Sequence, residues 1–131
     1  MKTSKADFWF SRYIRIRDTG THGYCKCITC SHVAEPKAFD CGHYIKRQHQ
    51  AVRFDEKNAG AQCGKCNRFE QGNDKLFREA LIERYGEAQI VLMESTSKRT
   101  VKRSQVELNA IARYFKEKAI ELANEKGLKI W

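Results

Sequence analysis

An α+β fold is predicted for this chain of 131 residues, on three observations. Two Cys-x-x-Cys pairs, Cys27/Cys30 and Cys63/Cys66, stand 32 residues apart. Apolar residues recur at helical spacing before the first pair and after the second. Between the pairs that period is lost, and short apolar runs with the only proline, Pro36, replace it. The expectation is one domain: a hairpin-and-helix core over about residues 24–72, wrapped by an N-terminal helix and by a helical C-terminal part over about 73–131.

The first helix is expected from Lys5 to Arg17, with Trp9, Tyr13 and Ile16 on one line and Phe10 and Ile14 beside it. Arg12, Arg15 and Arg17 fall on its polar side, to meet phosphates or solvent. Asp18-Thr-Gly20 and Gly23 stop it before the first cysteine pair. Residues 31–62 read as a short hairpin with long irregular connections, around Ala38-Phe39 and Ala51-Val-Arg-Phe54. A brief helix is expected from Gly64 to Gln71, ended by Gly72, with Asn67 in its first turn. Asn73 or Asp74 can cap the next helix, through Leu76, Phe77, Ala80, Leu81 and Tyr85, which Gly86 closes. Glu87 to Met93 forms another short apolar helix. After a polar break, Ser104-Gln-Val-Glu107 matches a capping box, in which serine and glutamate side chains satisfy each other's free backbone N–H groups. Leu108, Ile111, Ala112, Phe115, Ala119 and Leu122 then make an apolar stripe that reads as core and ends near Gly127.

Structural zinc takes four soft ligands in a tetrahedron, and two Cys-x-x-Cys turns supply them. The assignment is Cys27, Cys30, Cys63 and Cys66, with Cys25 and Cys41 as spare thiols. Metal thiolates are preferred to disulfides on this spacing, and because the first seven residues lack the apolar stretch of a secretory signal. Zinc would tie an early knuckle to the start of a later helix with a hairpin between, the layout of a treble-clef finger. A cytoplasmic protein is expected. No apolar run approaches the roughly 18 residues of a membrane-spanning helix, so no membrane partner is expected.

The formal charge is +9, from 25 basic and 16 acidic residues. Residues 1–72 contribute +6 (13 basic, seven acidic) and residues 73–131 contribute +3 (12 basic, nine acidic), so the excess lies mainly around the cysteine motif. This fits a polyanion-binding face, although a solvated basic surface has the same composition.

The stretch between and just after the pairs adds residues that a structural finger does not need. It runs Phe39-Asp-Cys-Gly-His-Tyr-Ile-Lys-Arg-Gln-His49, then Arg53-Phe-Asp-Glu-Lys-Asn58, then Cys63-Gly-Lys-Cys-Asn67. Here the chain resembles the HNH, or ββα-metal, nucleases. Within them it is most similar to the phage NinG/Rap recombination protein family, through Trp9-Phe-Ser-Arg-Tyr-Ile-Arg, Asp40-x-Gly-His-Tyr, Arg53-Phe-Asp-Glu-x-Asn58 and Gln62-Cys-x-x-Cys-Asn-Arg-Phe69. The resemblance covers about residues 7–86, more loosely the last helices, and longer members have additional N-terminal sequence.

The resemblance implies a metal-dependent DNA endonuclease acting in phage recombination on branched DNA such as D-loops or Holliday junctions. His43 would be the general base, since imidazole has the side-chain pKa closest to that task. Asp40 and the side-chain carbonyl of Asn67 would hold Mg²⁺ or Mn²⁺, hard ions that take oxygen ligands. Asn67 stands where many HNH enzymes carry His, and endonuclease VII similarly places an Asn just after its second Cys-x-x-Cys. Many HNH enzymes put the acid immediately before the base, where this chain has Gly42. Asn58 matches the middle HNH residue, which ties the hairpin and orients the base; a turn Asn before Ala59-Gly60 is its bland reading. Lys46, Arg47, Arg53, Lys65 and Arg68 are candidate phosphate contacts. His49 is open between metal ligand, leaving-group partner and surface histidine. The alternative for the whole chain is a non-catalytic zinc-finger module that binds nucleic acid or recruits a recombinase. A homodimer and recombination-protein partners fit either reading.

Overall fold

The computed structural model describes residues 3–131 and is an α+β structure. Helix α1 spans Lys5–Arg17 and starts in a capping box: Ser4 accepts from the Asp7 amide, while the Asp7 carboxylate accepts from the Ser4 amide. That box went unread in the sequence because Asp stands where Glu or Gln is usual. Two antiparallel hairpins follow. The first pairs β1 (Cys25–Lys26) with β2 (Val33–Ala34), and the second pairs β3 (Asp40–His43) with β4 (Ala59–Gln62). In the second hairpin Asp40 faces Gln62, Cys41 faces Ala61, Gly42 faces Gly60 and His43 faces Ala59. Its 15-residue connection, numbered 44–58, contains 3-10 turns at Gln50–Val52 and Glu56–Asn58.

Lys65–Phe69 forms a single wide helical turn, in which the Glu70 amide reaches back to the Lys65 carbonyl (2.9 Å). It is shorter and wider than the expected helix, but Asn67 does lie in the first turn, its N–H on the Cys63 carbonyl (3.0 Å). Helices α2 (Asp74–Tyr85) and α3 (Glu87–Thr96) share Gly86, whose φ of +88° lets one helix end and the next begin without a linker. The expected cap on α2 is absent. Asn73 sits at the cap position in a left-handed conformation, and its amide points to Cys66 Sγ (3.9 Å) instead. Helix α4 (Gln105–Lys126) has the expected Ser104/Glu107 capping box and closes at Gly127.

Two apolar cores and one sulfur-rich cluster hold these elements. The largest packs α1 on α4: Phe10, Tyr13, Ile14 and Ile16 against Phe115, Ala119 and Ala123. The Phe10 and Phe115 rings meet edge-to-face at 4.9 Å. Each fully buried Phe or Ile there contributes about 1.5–3 kcal/mol. The small residues Ala112, Ala119 and Ala123 let α4 approach closely, confirming its stripe as core. The second core joins Phe77, Leu81, Ile90 and Met93 of α2 and α3 to Val52 of the long connection. Among the described residues, no helix is long and apolar enough to cross a membrane.

A four-residue hairpin is marginal by itself. Here α1 grips it through its polar side. Arg15 Nη1 donates to the Phe39 carbonyl (2.9 Å), and Arg17 donates to the carbonyls of Glu56 and Ala59 (both 2.8 Å). Asp18 accepts from the Ala61 amide (2.8 Å). Arg12 donates to the Trp131 carbonyl (2.7 Å) with its guanidinium over the Phe8 ring. These three arginines are therefore engaged with the protein's own backbone. At the end of α1, Lys126 Nζ takes the carbonyls of Ile16, Arg17 and Thr19 (2.6–2.9 Å), a cation placed on the negative helix end.

Arg53 also turns inward, which corrects its assignment as a phosphate contact. It is 6% exposed and grips Asp7 with two donors, Nε at 2.9 Å and Nη2 at 2.6 Å. A buried bidentate pair of this kind fixes the long connection to the start of α1. Arg53→Met leaves the Asp7 charge buried against an apolar side chain, and urea titration should show a loss of about 3–5 kcal/mol. An effect under about 1 kcal/mol would mean that the pair does not hold the connection.

Candidate functional site

The four cysteines picked out by spacing do converge. The sulfurs of Cys27, Cys30, Cys63 and Cys66 all lie within 4.8 Å of one another, and Cys30 and Cys63 are 3.5 Å apart. A tetrahedron with bonds of about 2.3 Å separates its sulfurs by about 3.8 Å, so one metal ion fits the set, and a soft four-sulfur set is consistent with structural zinc. Their surroundings favour thiolates unevenly. Burial opposes ionisation of Cys27, but the Thr29 hydroxyl and the Cys63 amide point at its sulfur (3.4 and 3.3 Å) and draw its pKa down to about 6. Burial and the neighbouring sulfurs push Cys30 up to about 12. Four thiolates cannot share this space without a cation, and a divalent ion removes the conflict. Cys25 and Cys41 are outside the cluster, and burial pushes their thiols up to about 11 and 12.

Gln62 and Thr29 support the cluster from behind. The buried Gln62 amide donates to Thr29 Oγ1 (3.1 Å) and to the Gly72 carbonyl (2.7 Å), linking β4 to the first knuckle and to the chain after the wide turn. This side chain also explains Gly42. A Cβ there would lie 2.2 Å from Gln62 Oε1 and 3.0 Å from Gln62 Cβ, so a side chain at residue 42 requires Gln62 to move.

Beside β3 lies an open cleft of about 750 Å³. It is lined by Asp40, His43 and Asn67, by Lys46 and Arg47 of the connection, and by α1 residues including Asp7, Phe8, Arg12 and Arg15. The part played by α1 was not legible, because nothing in its sequence says which face meets the hairpin. Asn67 Nδ2 donates to Asp40 Oδ2 (3.0 Å), which leaves its carbonyl oxygen unspent. Arg68 Nε pairs with the same carboxylate oxygen (3.2 Å), but the Arg68 side chain is 65% exposed and such a pair is weak.

His43 is fixed by a backbone carbonyl. Its Nε2 lies 3.0 Å from the Arg53 oxygen, and a carbonyl can only accept, so Nε2 carries the proton and Nδ1 keeps its lone pair. Burial pushes the ring's pKa down to about 4, so the imidazole is neutral at pH 7. Asn58 sets up that contact. Fully buried, it accepts from the Ile45 amide and donates to the carbonyls of Ile45 (both 2.8 Å) and Val52 (3.2 Å), drawing together the two ends of the connection that carry His43 and Arg53.

The remaining expected positions divide. Lys46 and Arg47 line the cleft; Lys46 reaches Asp74 (3.0 Å) and Arg47 reaches Thr3 (3.3 Å). Lys65 is exposed on the wide turn, and His49 is exposed in the connection; neither lines the cleft.

A small α+β chain with a four-cysteine cluster able to hold a metal ion beside a basic-rimmed cleft is the class that fold and site define. The chain belongs to the NinG family: the family model described as "Bacteriophage Lambda NinG protein" matches residues 3–125. It is 33% identical to the NinG protein of Salmonella phage P22 over 116 residues, covering 88% of this chain and 54% of the relative. Against those of Escherichia phages 933W and lambda the identity is 32% and 30% over 119 residues, covering 88% of this chain and 55% and 54% of the relatives. The chain thus spans about half the length of the curated relatives it matches. No solved structure matches it.

Metal analysis of the purified protein should return one zinc per chain. Cys63→Ser should abolish it and lower the melting temperature, whereas Cys41→Ser should retain it; equal retention in both would refute the sulfur assignment. Because the folded-state pKa of His43 is below its unfolded value, the unfolded chain binds more protons between about pH 6.5 and pH 4, and stability falls as pH falls through that window. Thermal melts should show this acid loss reduced in His43→Phe, and parallel curves would deny the ring's buried neutrality.

Proposed function

We propose that the chain is a metal-dependent phosphodiester hydrolase of the HNH, or ββα-metal, kind, acting on DNA. The observation that supports this best is the meeting of an oriented, neutral imidazole with an Asp40–Asn67 oxygen pair in one cleft rimmed by Lys46 and Arg47. On this reading the first knuckle, the hairpin and the wide turn form a treble clef around zinc held by Cys27, Cys30, Cys63 and Cys66. Asp40 and Asn67 Oδ1 suit a hard divalent ion, and the exposed Arg68 would yield its place on Asp40 to it. Such an ion, Mg²⁺ or Mn²⁺, supplies charge neutralisation at the scissile phosphate and at the departing oxygen.

The chain's own residues do the rest. His43 Nδ1 accepts a proton from water as the water oxygen bonds to phosphorus and the phosphorus–oxygen ester bond on the far side breaks. Donation of Nε2–H to the Arg53 carbonyl holds the ring in the basic tautomer and stabilises the imidazolium that forms. Asn58 holds the preceding Val52 carbonyl, and through it the peptide that leads to Arg53, so it is a positioning residue. Lys46 and Arg47 hold flanking phosphates without reading bases. Branched recombination intermediates in the phage-infected cytoplasm are the proposed substrates, following the family resemblance.

Supercoiled, linear and four-way DNA incubated with Mg²⁺ or Mn²⁺ should be cut by the parent protein. His43→Ala and Asn67→Ala should each lower the single-turnover rate at least about 100-fold while zinc content is unchanged. Retained DNA binding with no cutting by the parent in either ion favours the other reading, a non-catalytic zinc module that binds nucleic acid or recruits a recombinase.

A second test concerns Asn58. Asn58→Ala should lower the rate and lower the apparent pKa of the acid limb, because the carbonyl that stabilises protonated His43 loses its support; a purely structural role would lower the melting temperature and leave the limb in place.

A further inference from the structure

Beside the cleft lies a second groove of about 670 Å³ between the start of α1 and the middle of α4. Lys5, Phe8, Trp9, Ala112, Arg113 and Lys116 line it. Phe8 and Thr3 line both spaces, so the groove continues the cleft along α1. Phe8 is 43% exposed and meets Trp9 edge-on, with centroids 5.1 Å apart at 80°. Lys116 Nζ stands 5.5 Å from the Trp9 ring centre. No carboxylate lines the groove among the described residues, and none of Lys5, Arg113 and Lys116 forms an ion pair there.

A partly exposed aromatic pair, with Arg12 over one face of Phe8 and Trp9 half-buried, beside three cations with no carboxylate in the groove suits one kind of occupant. An unpaired strand offers a free base face together with phosphate charge, whereas a duplex offers the charge but keeps its bases stacked on each other. An acidic peptide would satisfy the cations and leave the rings unused. We infer that this groove binds an unpaired DNA strand leaving the cleft, with bases against the Phe8 and Trp9 rings and flanking phosphates on Lys5, Arg113 and Lys116. The inference rests on the hydrolase reading for the path of the strand, and it supplies a physical reason for preferring branched over continuous duplex DNA.

The test is binding by the zinc-loaded full chain in EDTA-free buffer lacking Mg²⁺ and Mn²⁺, read by anisotropy of labelled oligothymidylate and of a blunt duplex at one salt concentration. The double variant Arg113→Glu/Lys116→Glu should weaken oligothymidylate about tenfold or more and the duplex less than about twofold. Oligothymidylate should quench tryptophan emission in Trp131→Phe but not in Trp9→Phe. Equal weakening of both DNAs, no weakening, quenching that follows Trp131, or equal competition by polyglutamate would each overturn the inference. If Trp9→Phe fails to fold, the charge-reversal comparison decides alone. A parent that prefers oligothymidylate yet cuts nothing in Mg²⁺ or Mn²⁺ sinks the hydrolase reading and leaves the groove standing. Cutting without that preference sinks the groove alone.

Discussion

The grip of α1 on the second hairpin is the constraint on which the rest of the structure depends. Strands of four residues with a glycine pair at their centre have little cross-strand packing with which to hold themselves. Arg15, Arg17 and Asp18 supply the missing restraint by bonding backbone carbonyls and an amide along both strands and their flanks. The helix can do this because its other face is buried against α4 and its carboxyl end is capped by Lys126. Charged side chains here act as local backbone partners, each satisfying groups that the short strands would otherwise leave to water.

The sulfur cluster and the cleft are two ends of one arrangement. Cys66 and Asn67 are adjacent in sequence, so whatever fixes the sulfur fixes the amide to within one residue. Across the hairpin, the Asp40–Gln62 register sets Asp40 opposite the residue that precedes Cys63. Asn73, freed from capping α2, turns to Cys66, and Gln62 ties Thr29 to Gly72. On the hydrolase reading, the soft site is a scaffold and the hard site depends on it for position.

Much of this was legible in the residues, and the failures share a cause. Local signals decided the helices: the apolar period of α1, the Ser104/Glu107 box and the closing glycines Gly86 and Gly127 all appear where expected. The convergence of the four cysteines also followed from spacing, since two Cys-x-x-Cys turns are a common way to bring four sulfurs to one point. What could not be read was burial decided by a distant partner. Arg53 has the composition of a phosphate contact, and only the fold shows Asp7, 46 residues away, waiting for it. The same holds for Arg12, Arg15 and Arg17, and for Asn73, whose sequence context promised a cap. The hairpin's two-part form was invisible because its strands are too short to show a period of two.

The crowding between Gly42 and Gln62 links two positions across the hairpin. An acid at residue 42 would require Gln62 to shrink or leave, yet its loss alone would strip Thr29 and the Gly72 carbonyl of their donor. A side chain at residue 42 and the identity of residue 62 are thus coupled through one contact, and substitutions at the two are expected to be non-additive.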